Sequence, residues 1–163
     1  MSRTKPRDRQ QPDPEVLKDF GLERYRYILQ QLNSLNDSVY KTLGIYQTLA
    51  TAITGAALAL FVGYKNWRIS PETAKAGVLG LLFLETAVAV FATLVIITGI
   101  LSWIDYRREE VDLTDRIVYQ GFRNPPRLRN LWRWHEIYII AFILMSTLFL
   151  WLCAYMLLFP GMK

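Results

Sequence analysis

Apolar residues recur along the first third of the chain at alternating steps of three and four. Leu22, Tyr25, Leu29, Leu32, Asn36, Val39, Leu43 and Tyr46 form the series, and Asn36 is its single polar member. This heptad pattern predicts an amphipathic helical segment over 13–43 with coiled-coil character. Ile28, Leu35 and Leu49 widen the stripe to three positions in seven, which calls for several neighbours. Either copies of the helix associate through Leu22, Tyr25, Leu29, Leu32, Asn36, Val39 and Leu43, or the stripe packs on a later polar part of the same chain. A homo-oligomer is the expectation. Asn36 either fixes register at an a position or lies half-exposed at the helix edge.

Three blocks then lack charge or nearly so: 44–64, 77–104 and 137–159. Roughly 20 apolar residues of helix cross the hydrocarbon core, and each block meets that length. The fold expected is an all-α membrane protein with three transmembrane helices. The heptad-patterned cytoplasmic helix runs without a break into the first span. A helical cytoplasmic connection, 105–136, joins spans two and three.

Local signals set the boundaries. Residues 1–12 are Pro-, Gln- and Arg-rich and predict a disordered basic tail. Asp13-Pro14-Glu15 is a helix start, a short helix follows to Phe20, and Gly21 allows a bend there. Ser70-Pro71-Glu72 closes the 65–76 loop and opens the second span. The helix beyond that span is expected to stop at Gly121, and Asn124-Pro125-Pro126 to break the chain again. Residues 160–163 form a short tail.

Charge orients these elements. The chain carries 19 Lys and Arg against 14 Asp and Glu. Eight of the basic residues lie in 1–43 and seven in 105–136, with three in 65–76 and one at Lys163. Basic residues favour the cytoplasmic side, so the N-terminus is expected inside and the C-terminus outside. The polar first forty residues predict no secretory signal peptide. Multi-pass insertion in the inner (plasma) membrane is the expected localisation. The single cysteine, Cys153, lies within the third block and forms no internal disulfide.

Candidate functional residues follow from polar groups in apolar blocks. Glu85 is the acidic residue within the spans, and an ionisable group there faces protein or water. It is a pore or ion-pathway candidate together with Gln47, Thr51 and Thr54 of the first span, which are also its expected hydrogen-bonding partners. Gly55, Ala59 and Gly63 have the small-xxx-small spacing of closely packed membrane helices. Arg127, Arg129, Trp132, Arg133 and Trp134 interleave bases and aromatics before the third span, the pattern of an interface anchor on anionic headgroups.

Catalytic patterns are missing. His135-Glu136 does not continue to a second histidine, and no Gly-rich phosphate loop, Cys/His cluster or serine elbow occurs. Arg129 and His135 lie six apart, and such a lone pair does not make a nuclease. Glu109-Glu110 reads as a solvated face. No enzyme, cofactor, metal site or nucleic-acid partner is expected. Two functions remain: a self-associating membrane protein that forms or gates a pore, or a non-conducting anchor whose cytoplasmic helices recruit a partner protein. A membrane enzyme assembled from several chains is a weaker third. Small bacterial stress and phage-defence effectors share this build, an analogy of architecture alone.

Overall fold

The computed structural model describes residues 14–126 and 134–162. It is all-helical, with three helices long and apolar enough to cross a membrane. Helix α1 runs Pro14–Gly63, α2 runs Pro71–Ile117 and α3 runs His135–Cys153. After α3 the chain passes through one π-helical turn, Ala154–Leu158, and a last helical turn, Phe159–Gly161. Among the described residues there is no strand.

Helix α1 does not bend at Gly21. Its 50 residues form one helix, about 75 Å long at 1.5 Å per residue. The reason is close packing rather than flexibility: a Cβ on Gly21 would lie 2.6 Å from Ile117 Cδ1. Ile117 Cδ1 is the end of a flexible, half-exposed side chain, so the close approach of α2 favours glycine without requiring it. Gly77 has the same role at the other end of the pair, where its Cβ would fall 2.6 Å from Leu60 Cδ2.

The turn Tyr64–Ser70 makes α1 and α2 antiparallel. Ser70 caps α2, its Oγ accepting from the Thr73 N–H at 3.2 Å, with Pro71 in the first turn. Arg68 adopts a left-handed backbone, φ 58°, to close the turn. Helix α2 continues past its apolar block to Ile117, four residues short of Gly121, with Val118 as its C-terminal cap. Gly121 instead adopts φ 81° in the following turn, where its N–H donates to Asp115 Oδ1 at 3.0 Å.

Helix α3 returns parallel to α1. His135 stacks on Tyr40, and Gly161 approaches the Phe61 ring. Two apolar clusters hold the three helices. One contains Val39, Tyr46, Ala89, Ala92, Ile96, Ile100, Ile104 and Ile143. The other contains Ala57, Tyr64, Ala74, Val78, Leu82, Ala154 and Met162. The molecule is therefore a three-helix apolar bundle from which α1 and α2 extend as a charged two-helix stalk. Outside the bundle large apolar side chains are exposed, among them Phe83, Phe91, Leu94, Leu101 and Met156. That surface suits hydrocarbon and would be a severe aggregation liability in water.

The heptad stripe packs within the chain. Leu32, Val39 and Tyr46, all at d positions, are buried. Ile28, on the flank of the stripe, is fully buried. The a positions lie at the margin of the contact: Leu29, Asn36 and Leu43 are half-buried and Leu22 is exposed. Tyr25 is half-buried as well.

Candidate functional site

Steps of three and four along α2 set one buried line: Ala74, Val78, Leu82, Glu85, Ala89, Ala92, Ile96, Ile100, Ile104. Glu85 is on it. Its carboxyl is 1% exposed, 14 residues along the helix from Pro71. That is about 21 Å from the start of α2 by helical rise.

The first span does supply its partner, but the partner is not Gln47, Thr51 or Thr54. The Tyr46 hydroxyl reaches Glu85 Oε1 at 3.0 Å and Ser146 Oγ at 2.8 Å. Ser146 Oγ also lies 2.9 Å from the Ile143 carbonyl, which accepts from Thr147 Oγ1 at 2.9 Å as well. All three helices thus converge on one phenol. Hydrogen counting gives this chain two settings. Two hydroxyl hydrogens serve three links. With Glu85 as a carboxylate, Ser146 donates to Tyr46 and Tyr46 donates to Glu85. The Ile143 carbonyl then keeps Thr147. With a proton on Oε1 the direction reverses, Glu85 to Tyr46 to Ser146 to Ile143. In both settings Glu85 Oε2 has no hydrogen-bonding partner. An unpartnered buried carboxyl oxygen is costly and needs an explanation.

Beside Glu85 lies a cavity of about 270 Å³ between the three helices, lined by Thr54, Leu58, Leu82, Phe149, Cys153 and Leu157 among others. Thr54 is the one expected pathway residue that shares a cavity wall with Glu85. Gln47 and Thr51 are exposed and do not line it.

The expected small-residue face divides. Gly55 and Ala59 are exposed and turned away from α2, and Ala57 makes the buried contact instead. Gly63 is not part of that face. It is buried by the Trp67 ring of the following turn, three of whose atoms lie 2.7–2.9 Å from the position of its Cβ. Its role is to seat the hairpin.

A second carboxyl overturns the reading of Glu109-Glu110 as a solvated face. Glu110 is fully buried between Arg107 and Arg123, with Arg123 Nη1 at 3.2 Å from Oε1. Two steps of three from Ile104 reach Glu110, so the helical period carried this signal. Arg123, beyond the helix end, did not announce itself. Glu109 pairs with Arg24 across the stalk, Nε donating to Oε1 at 2.8 Å. That hydrogen bond first, and the charge second, raises the Arg24 guanidinium above its usual pKa. Of the interface anchors, Arg127, Arg129, Trp132 and Arg133 lie outside the described residues. Trp134 precedes α3 and packs edge-on against Trp103 at 5.1 Å.

Comparison with known protein families, with characterised sequences and with solved structures finds no match for this chain.

Proposed function

We propose that the chain is an integral membrane protein that self-associates through the outward face of its first span and forms a pore there. One observation carries the reading. Gly44, Thr48, Thr51, Gly55 and Ala59 follow one another at steps of four, three, four and four, and all are exposed. A Cβ on Gly44 or Gly55 would meet nothing within 4 Å. In lipid, helices gain no hydrophobic reward for associating, and small faces that allow close backbone approach supply the packing instead. A face this small and hydroxylated is poorly matched to acyl chains over its whole length. Copies meeting along it bring Gln47, Thr48 and Thr51 to the junction, a set of uncharged polar groups suited to hydrated ions.

The gathering of basic residues in 1–43 and 105–136 supports an N-terminus on the cytoplasmic side of an inner (plasma) membrane with anionic headgroups. The test is leakage of ions or a small dye from liposomes holding purified protein, with the mass of the detergent-solubilised assembly measured alongside. Gly55→Leu is expected to reduce both mass and leakage. An unchanged mass in Gly55→Leu removes the reading.

A non-conducting anchor is the second reading. It is favoured by Glu85, which is turned into the bundle of each copy rather than toward a shared axis. It is also favoured by an apolar groove on the stalk between Tyr25, Leu113 and Phe122. An assembly that forms but passes no ions would support it.

A further inference from the structure

We propose that the cavity beside Glu85 is a binding site for a small protonated amine with an apolar body, taken up from within the bilayer. The inference concerns a single copy of the chain and does not rest on self-association.

Its basis is the mismatch between one wall and the rest. Glu85 is the one charged residue among those that line the cavity, whose other walls are almost wholly apolar. Tyr46 occupies Oε1, and Oε2 has no partner although it is buried. Thr86, one residue on, offers no help: its hydroxyl donates to the Leu82 carbonyl at 2.8 Å and accepts from the Trp151 indole at 3.0 Å. Buried carboxylates ordinarily meet a cation or additional donors. Here the chain supplies space instead. A cavity of about 150 Å³ already holds benzene, so 270 Å³ accommodates a larger alicyclic or aryl body. A small rotation of the carboxyl toward the cavity that Glu85 lines would let an ammonium reach Oε2 and complete the hydrogen-bonded set. Ser146 donates to Tyr46, Tyr46 donates to Oε1, and the ligand donates to Oε2 while neutralising the charge.

The cavity has a mouth. Leu58, Phe149 and Leu157 on its rim are exposed by 49%, 63% and 66%, on the apolar surface of the bundle. Access is therefore lateral, from the hydrocarbon, and selects an amine that partitions into lipid. The π-helical turn Ala154–Leu158 forms the far wall, contributing Ala154, Leu157 and Leu158. An inserted residue of this kind widens a helix locally and recurs at functional sites.

The probes are 1-adamantylamine and its neutral counterpart 1-adamantanol, titrated into the full chain in detergent and followed by calorimetry. Saturable amine binding at least tenfold tighter than the alcohol is expected. Glu85→Gln should weaken the amine at least tenfold and leave the alcohol unchanged, with helicity and elution volume confirming the fold. Leu157→Trp, at the exposed rim, keeps the carboxyl and should weaken both ligands by filling the mouth. It decides the matter if Glu85→Gln does not fold. Cys153 lines the same space, so bound amine should slow its alkylation by N-ethylmaleimide. Equal affinity for amine and alcohol, undiminished amine affinity in Glu85→Gln or Leu157→Trp, or no saturable binding would overturn the proposal.

Discussion

Removing one oxygen atom tests whether Tyr46 holds the three helices together through Glu85. Tyr46→Phe keeps the ring, which is 2% exposed in the apolar cluster with Ala89, Ala92 and Ile143. What it removes is the donor to Glu85 Oε1 at 3.0 Å and the partner of Ser146 Oγ at 2.8 Å. Two magnitudes bracket the cost. Interhelical hydrogen bonds in membranes average roughly 0.6 kcal/mol, because the unfolded chain in lipid finds other partners. Hydrogen bonds to charged groups are worth roughly 1.5–3 kcal/mol. Glu85 already has one oxygen without a partner, and the substitution leaves it with two. In the hydrocarbon core little water is available to replace the donor. With Glu85 ionised the upper bracket governs, and Tyr46→Phe should cost about 2 kcal/mol. Ser146 loses less, since it retains the Ile143 carbonyl. The assay is SDS titration from mild detergent, followed by helicity. The same substitution in a Glu85→Leu background should cost about 0.6 kcal/mol or less, because the carboxyl that needs the donor is gone. An equal cost in both backgrounds would refute the reasoning and place the effect in packing alone.

Three other outcomes are expected. Gly63→Ala should destabilise the hairpin by roughly 1–3 kcal/mol, because three atoms of the Trp67 ring must shift together and give up their cover of the turn, and Gly63→Ala with Trp67→Ala should recover most of the loss in thermal denaturation. Gly77→Ala should cost less than Gly63→Ala, since it meets only the mobile Leu60 Cδ2, and the same melts rank the two. Arg24→Ala removes an ion pair whose side chains are 42% and 40% exposed, so it should cost no more than about 1 kcal/mol and lose that effect in high salt, whereas Arg123→Ala uncovers the fully buried Glu110 and should cost more, with little salt dependence.

The helical architecture was legible because hydrophobic blocks and the heptad spell out length and face directly. The continuity of α1 into its apolar stretch followed from the stripe running on to Tyr46. The false bend at Gly21 came from treating a glycine as freedom, when it sits inside a continuous helix and close against Ile117. Ionisable residues were legible as exceptions but not in their pairing. Glu85 stood out from its block, yet its partner was hidden among the heptad apolars. Tyr46 fits an apolar stripe by its ring and acts by its hydroxyl. Glu110 was masked by its charged neighbours, since one buried residue in a run of charges looks like the rest of the run. The split of the small-residue series at Gly63 depended on where Trp67 folds back, a contact no spacing rule contains.

The central claim is that copies of this chain meet along the outward face of α1. Disulfide trapping in native membranes tests it most directly. In a Cys153→Ser background, Gly55→Cys or Ala59→Cys places a thiol on that face, and Phe91→Cys places one on the exposed apolar surface of α2. Mild oxidation should convert Gly55→Cys and Ala59→Cys to covalent dimers and leave Phe91→Cys monomeric. Monomers from both first-span variants, at the same expression and oxidant, would contradict the account.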